Sequence, residues 1–330
     1  MARIGIIGGG AWGSALALVA SRAGNQALLW AREADVVDAI NARRENPRFL
    51  PGIALDPGIR ATGALGELAE SCELIAMVAP AQHVRAVATG LGKTGRDVPP
   101  LLICAKGIEQ ASGLLMSEVL AEALPATPLA VLSGPTFARE VALGKPTAVT
   151  VAATDQRLAE RMAGAFGGRA FRPYVSDDPI GAQIGGAVKN VLAIAAGIAI
   201  GRGLGENARA ALITRGFAEL SRLALTKGAR LETLGGLSGL GDLVLTCTSD
   251  QSRNYALGRA LGEGTSLAEH LASRESIAEG AASAPAVLRL ADRLGVELPI
   301  ARAVDAVLHR GAAIDAAIGA LLARPFKAEA

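Results

Sequence analysis

The chain has 330 residues, 51% of them hydrophobic and 19% charged, which suffices for the cores of two domains and argues against global disorder. Lys and Arg number 33 against 31 Asp and Glu, and aromatics make up 3%, so neither a polyanion-binding face nor a base-stacking array is expected and nucleic acid is not an expected partner. The abundance of Ala and Gly predicts helices packed closely through small side chains.

Arg3–Ile7 reads as a buried strand running into Gly8-x-Gly10-x-x-Gly13 and then into a helix of small and apolar residues. Gly8 permits a tight turn, Gly10 lets the backbone approach a pyrophosphate, and Gly13 lets helix and strand pack closely. The helix N-terminus adds unpaired N–H groups suited to phosphate. Strand, glycines and helix in this order form a dinucleotide-binding signature, with an ordinary Gly-rich turn as the alternative.

Further strands are predicted at Ala27–Trp30, Glu73–Val78, Leu101–Cys104, Leu129–Leu132 and Ala148–Ala152. Amphipathic segments lie between them near Ala34–Arg43, Val84–Leu91, Gly113–Leu124 and Arg157–Phe166. This alternation predicts an α/β fold, a Rossmann-type doubly wound and largely parallel sheet, with ligand-binding residues at the carboxyl ends of the strands. The second strand leads to Arg32, about 20 residues after the glycines, where an acidic residue would hold a free ribose 2′-OH and an Arg favours a 2′-phosphate. Arg32 therefore points to NADPH, with NADH kept open by the adjacent Glu33; a solvated surface Arg is the alternative. Three more strand ends carry turns: Val78-Ala-Pro80, Cys104-Ala-Lys106-Gly107 and Ser133-Gly134-Pro135-Thr136. Lys106 would enter the crevice, and Gly134 and Thr136 would offer an N–H and a hydroxyl to an oxyanion.

The pattern changes at Asp177-Asp178-Pro179, where Asp178 suits an N-cap and Pro179 the first helical position. Residues 1–178 are thus expected to form the dinucleotide-binding domain and 179–330 an all-helical substrate-binding and catalytic domain. Long helices are predicted near Ile180–Ile200 and Asn207–Lys227, and only Lys327–Ala330 resembles a disordered tail. Lys189 and Asn190 sit inside the apolar first helix, where a buried ammonium is costly unless paired or used. A desolvated lysine releases its proton more readily and can serve a developing alkoxide; the alternative is a side chain that snorkels to solvent. Asp242 closes a Gly-rich passage, and Ser252-Arg253-Asn254 follows near a helix start, suiting a phosphate or else forming an N-cap beside a surface Arg.

Cys72, Cys104 and Cys247 are far apart and read as reduced, buried thiols, and the three His residues lack metal-ligand spacing. The apolar N-terminus holds the Gly-rich turn and lacks a basic region and cleavage site, so it does not read as a signal peptide. Val191–Ile200 is too short to span a bilayer. A soluble, cytoplasmic protein without membrane insertion is expected.

Taken together, five blocks resemble the bacterial NAD(P)-dependent glycerol-3-phosphate dehydrogenase family: Gly8–Ala15, Ala105–Glu109, Ser133–Glu140, Val188–Gly197, and Gly239–Ser249 with Ser252–Asn254. The resemblance implies reduction of dihydroxyacetone phosphate, a small phosphorylated triose, to sn-glycerol 3-phosphate with NADPH or NADH, in a homodimer. It implies Lys189 as proton donor and acceptor, with Lys106, Asp242 and Asn190 as further catalytic residues. Lys106, Gly134, Thr136, Lys189, Asp242, Ser252, Arg253 and Asn254 fall at substrate positions. Gly8, Gly10, Ala11, Trp12, Gly13, Arg32, Lys106, Ala138, Arg253, Ile277 and Glu279 fall at cofactor positions. Tyr255, Ala281-Ala-Ser283 and Pro80-Ala-Gln-His83 depart from the family's commoner residues. Two rivals are a hydroxy-acid dehydrogenase with a helical second domain and a catalytically silent dinucleotide sensor.

Overall fold

A computed structural model describes residues 1–272 and 279–325. The chain begins β1 (Arg3–Ile7), α1 (Ala11–Arg22), β2 (Gln26–Trp30), α2 (Ala34–Arg43), β3 (Glu45–Asn46), β4 (Leu50–Ala54), β5 (Ile59–Thr62), α3 (Leu65–Ser71) and β6 (Leu74–Met77). It continues α4 (Val84–Gly92), β7 (Leu101–Ile103), α5 (Met116–Ala123), β8 (Leu129–Ser133), α6 (Ala138–Ala142), β9 (Thr147–Ala152), α7 (Gln156–Phe166), β10 (Phe171–Ser176) and α8 (Pro179–Gly201). Then follow α9 (Gly205–Thr226), α10 (Leu231–Leu234), α11 (Asp242–Cys247), α12 (Arg253–Gly262), α13 (Leu267–Ala272), α14 (Glu279–Leu294), α15 (Pro299–His309) and α16 (Ile314–Leu322).

Eight strands form one sheet in the order β10-β9-β8-β7-β6-β1-β2-β5. β1 lies inside it, pairing Ile4 with Ala27 on one side and Leu74 on the other, both parallel. Its positions after Arg3 are all buried, as expected of a parallel strand covered on both faces. Helices cover both faces, and the two apolar cores on either side are built on Ile4, Ile6 and Leu16 and on Ile7, Ile75 and Met77. β9 runs antiparallel to β8, and β10 follows β9 in parallel, so the Rossmann-type sheet carries a reversed margin. β3 and β4 make a separate antiparallel pair.

The Cα positions group into two compact units. One comprises Met1–Glu109, Leu114–Gly186 and Ala229–Asp242; the other comprises Gln110–Gly113, Ala187–Gly228 and Leu243–Ala330. The division falls within α8. Ala229–Asp242 belongs with the sheet because Asp178 grips it: one carboxylate oxygen accepts the Gly181 N–H (2.8 Å), capping α8, and the other accepts the Arg230 N–H (2.8 Å). The exposed Arg230 guanidinium pairs with Asp177 and holds that carboxyl below its ordinary range.

The second unit is helical. α8 is long and apolar enough to cross a membrane by length and composition alone, yet 89% of its most apolar window is buried, the state of a core helix. α8 and α12 meet backbone to backbone: a Cβ on Gly197 would lie 2.1 Å from the Tyr255 carbonyl oxygen, and one on Gly258 2.0 Å from that of Ile194. Gly201 and Gly262 continue the seam one turn on. Elsewhere in this unit the buried Glu219 carboxylate accepts the N–H of Ile300 (2.8 Å) at the start of α15. The three cysteines are buried and none forms a disulfide among the described residues. Burial pushes the Cys72 and Cys104 thiols up, so neither is a ready nucleophile.

Candidate active site

The turn after β1 is built for close approach. Gly8 has φ +133°, and a Cβ on Gly13 would lie 1.8 Å from the Gly8 carbonyl oxygen, so α1 can begin directly against the strand end only with glycine there. Asn46 fixes the turn from its buried side, donating to the Gly9 carbonyl (2.7 Å) and to Ser14 Oγ (2.8 Å). Above Gly10 a Cβ would meet nothing within 4 Å. No side chain caps α1, and the N–H groups of Ala11, Trp12 and Gly13 find no acceptor among the described residues. Trp12 Nε1 is buried and has no partner there either. Donors without acceptors below an open glycine suit the diphosphate of a dinucleotide. Arg32, just beyond β2, is exposed and pairs with Glu33 (3.0 Å), so acidic and basic groups share the ribose-reading position.

On the same unit, Lys106 follows β7 and reaches past β8. Its Nζ donates to the Gly134 carbonyl (2.8 Å) and to Asp242 Oδ2 (2.7 Å). Asp242 is fully buried. An ammonium has three N–H donors, and the third has no acceptor among the described residues. Gly134 adopts φ +142° with a Cβ position 3.0 Å from the Val149 Cα, so the turn after β8 requires glycine. Thr136 Oγ1 lies 3.3 Å from the same carbonyl. Asp242 is delivered by the Gly-rich passage, whose wide turn is closed by the Gly241 N–H on the Gly236 carbonyl (3.0 Å). Lys106, Gly134, Thr136 and Asp242 thus converge, and Ala138 opens the short α6 that follows.

Sequence reasoning missed the support of the Lys106 loop. Arg85 on α4 holds the buried Glu109 through two parallel hydrogen bonds, Nε to Oε1 (2.8 Å) and Nη2 to Oε2 (2.9 Å). Gln82 donates to the Ile108 carbonyl (2.8 Å). Glu109 closes the Ala105–Glu109 block, but nothing in the sequence tied it to Arg85.

In the helical unit, Lys189 is 7% exposed and donates to Thr246 Oγ1 on α11 (3.0 Å), so it does not snorkel to solvent. Asn190, the next residue, accepts from Asn254 Nδ2 (2.9 Å), and Asn254 Oδ1 accepts the Gly280 N–H (2.8 Å). Ser252 is the N-cap of α12, its Oγ accepting from Tyr255 N (3.2 Å), which matches the capping alternative for this cluster. The N–H groups of Arg253 and Asn254 remain without acceptors among the described residues, and Arg253 is exposed without an ion-pair partner there. A free helix N-terminus beside an unpaired guanidinium suits a phosphate group as well. Glu279 is the first residue of α14. Ile277 and the tail Lys327–Ala330 lie outside the described residues.

Comparison with known proteins points the same way. Residues 3–159 match the family model described as NAD-dependent glycerol-3-phosphate dehydrogenase N-terminus, and 178–319 match its C-terminal counterpart. The chain is 57% identical over 328 residues to the glycerol-3-phosphate dehydrogenase [NAD(P)+] of Caulobacter vibrioides, covering 99% of both chains. It is 56% identical to that of Rhodospirillum rubrum, covering 99% of this chain and 93% of the relative. A crystal structure of glycerol-3-phosphate dehydrogenase from Coxiella burnetii superposes with a TM-score of 0.94 at 40% identity, covering 98% of this chain and 99% of that one. With a dinucleotide cradle and an ion-paired lysine on the sheet unit and a buried lysine on the helical unit, the chain belongs to the NAD-dependent glycerol-3-phosphate dehydrogenase family.

Proposed function

We propose that the protein catalyses the reversible NAD(P)H-dependent reduction of dihydroxyacetone phosphate to sn-glycerol 3-phosphate, supplying glycerophospholipid synthesis. The observation that carries this is the buried Lys189, held by Thr246 inside an apolar helix where a charge without a task is costly. The bound nicotinamide supplies the hydride for C2 of the ketone. Lys189 gives a proton to the oxygen that becomes an alkoxide, as general acid, and takes it back in the reverse direction. Lys106, fixed by Gly134 and Asp242, keeps an N–H for the substrate, and Asn190 adds an amide donor. Arg253, with the free N–H groups at the start of α12 and the Ser252 cap beside them, holds the phosphate, and this remote binding positions the reacting carbon. Gly134 and Thr136 line the substrate, and Gly8, Gly10, Ala11, Trp12, Gly13, Arg32, Ala138 and Glu279 line the cofactor, with Ile277 added on family likeness alone.

Residues 1–178 are read as the cofactor domain and 179–330 as the substrate domain. NADPH is the preferred reductant because Arg32 attracts a 2′-phosphate, and Glu33 leaves NADH in use. Reduced, buried cysteines support a cytoplasmic location. A homodimer completes the proposal on the strength of family likeness, and light scattering on the purified protein checks it.

A substrate panel tests the activity. NADPH oxidation is expected with dihydroxyacetone phosphate, with kcat/KM falling by at least about 100-fold for unphosphorylated dihydroxyacetone because remote binding energy is lost. Faster turnover of a 2-keto acid would favour the hydroxy-acid rival, and no oxidation with any ketone would favour a silent sensor.

A further inference from the structure

We infer that Asn254 acts as a positioning residue, setting which end of the Asn190 amide faces the substrate with the Gly280 N–H as its fixed reference. A backbone N–H can only donate, so the Asn254 atom 2.8 Å from Gly280 N must be its carbonyl oxygen. The Asn254 amide nitrogen is thereby turned toward Asn190, 2.9 Å away, and the Asn190 atom that receives it must be Oδ1. Asn190 Nδ2 is left pointing elsewhere, and it has no acceptor among the described residues. Asn190 and Asn254 are 5% and 7% exposed, too enclosed for water to reset either amide freely. Gly280 holds the group together: a Cβ there would lie 2.6 Å from the Asn190 carbonyl oxygen and 2.7 Å from Asn254 Oδ1.

The consequence is chemical. Resting on the activity proposed above, Asn190 stands next to the proton-donating Lys189 on α8 and offers an N–H to the oxygen that gains charge. Reversed, it would offer a carbonyl oxygen to the same charge and raise the barrier. Asn254 contributes to the phosphate seat through its backbone N–H, while its side-chain oxygen and one amide N–H are engaged inside the protein.

The test is a double-mutant cycle read by single-turnover hydride transfer at saturating dihydroxyacetone phosphate and NADPH. In Asn254→Asp the carboxylate still accepts from Gly280 but offers Asn190 only another acceptor, so the Asn190 amide turns its oxygen outward. The hydride-transfer rate is expected to fall on the order of 100-fold, with the KM for dihydroxyacetone phosphate within about threefold of wild type. Asn254→Ala, which leaves the Asn190 amide unfixed, is expected to lose about tenfold and provides the cycle should the aspartate variant fail to fold. In an Asn190→Ala background neither substitution should slow hydride transfer further. Losses that multiply in that background would overturn the inference, as would variants that raise KM at an unchanged maximal rate, the signature of a side chain holding phosphate. An inactive wild type would sink the assigned activity and this inference with it, whereas an active wild type with multiplicative losses would sink the inference alone.

Discussion

At the level of single residues, Lys106 and Asp242 depend on each other. A carboxylate with no exposed surface has an ammonium 2.7 Å away, and that ammonium is aimed because Gly134 takes a second N–H. Asp242→Asn preserves the shape and removes the charge. With one partner of a buried pair gone, the remaining ion loses its compensation, a change that typically costs roughly 3–5 kcal/mol. Denaturant titration should register a loss of that order, and kcat/KM should fall at least about 100-fold. A variant of wild-type stability and activity would show that the pair aims nothing. Lys106 and Asp242 were both legible in the sequence, because a cation past an apolar strand and an acid closing a Gly-rich passage stand out locally. Thr246, Arg85 and the Gly280 N–H were not, because each acts on a residue 24 to 57 positions away and carries no mark of its own in the chain.

At the level of elements, glycine spacing does what side chains do elsewhere. Gly197 and Gly201 on α8 face Gly258 and Gly262 on α12, and the contact brings two backbones together. That seam sets where the start of α12, with Ser252, Arg253 and Asn254, lies relative to Asn190 on α8. Gly197→Ala would place a methyl group 2.1 Å from the Tyr255 carbonyl, so α12 must move. Overpacking of this kind typically costs about 1–3 kcal/mol. The KM for dihydroxyacetone phosphate should rise several-fold, with NADPH affinity little changed, as steady-state kinetics and cofactor titration would reveal. The abundance of small residues announced close helix packing, though not which helices meet. β1, α2 and the long α8 were readable from apolar runs and period, whereas β4 and β5 were hidden by Pro51-Gly52 and Asp56-Pro57-Gly58, which read as loop. β10 escaped because it is an edge strand, exposed at Arg172, Tyr174 and Val175 and carrying Pro173, a residue that edges tolerate. The antiparallel course of β9 had no local signal, since strand direction is decided by the connection around it.

At the level of the whole molecule, stability should depend on pH through Glu219. Burial pushes its carboxyl up to about 7, against the opposing pull of the N–H donors of Ile300 and Ala301 at the start of α15. In the unfolded chain the same group returns to its ordinary value of 4.5, so between these values the folded state binds the extra proton. Its contribution is therefore fully present below pH 4.5 and is lost as pH rises through 7, a change of about 3 kcal/mol. Denaturation of wild type and Glu219→Gln at pH 5 and pH 8 checks the sign: the wild type should lose stability relative to the variant at the higher pH. Equal pH dependence in the two would remove Glu219 from this role.

The proton-donating role of Lys189 is tested most directly by one measurement on Lys189→Ala. NADPH oxidation with saturating dihydroxyacetone phosphate is followed beside NADPH affinity measured by fluorescence titration. The expected result is a kcat lower by about 1,000-fold, within the range a positioned acid supplies, with cofactor affinity within about twofold of wild type. A variant that turns over at a near-normal rate would contradict the assignment.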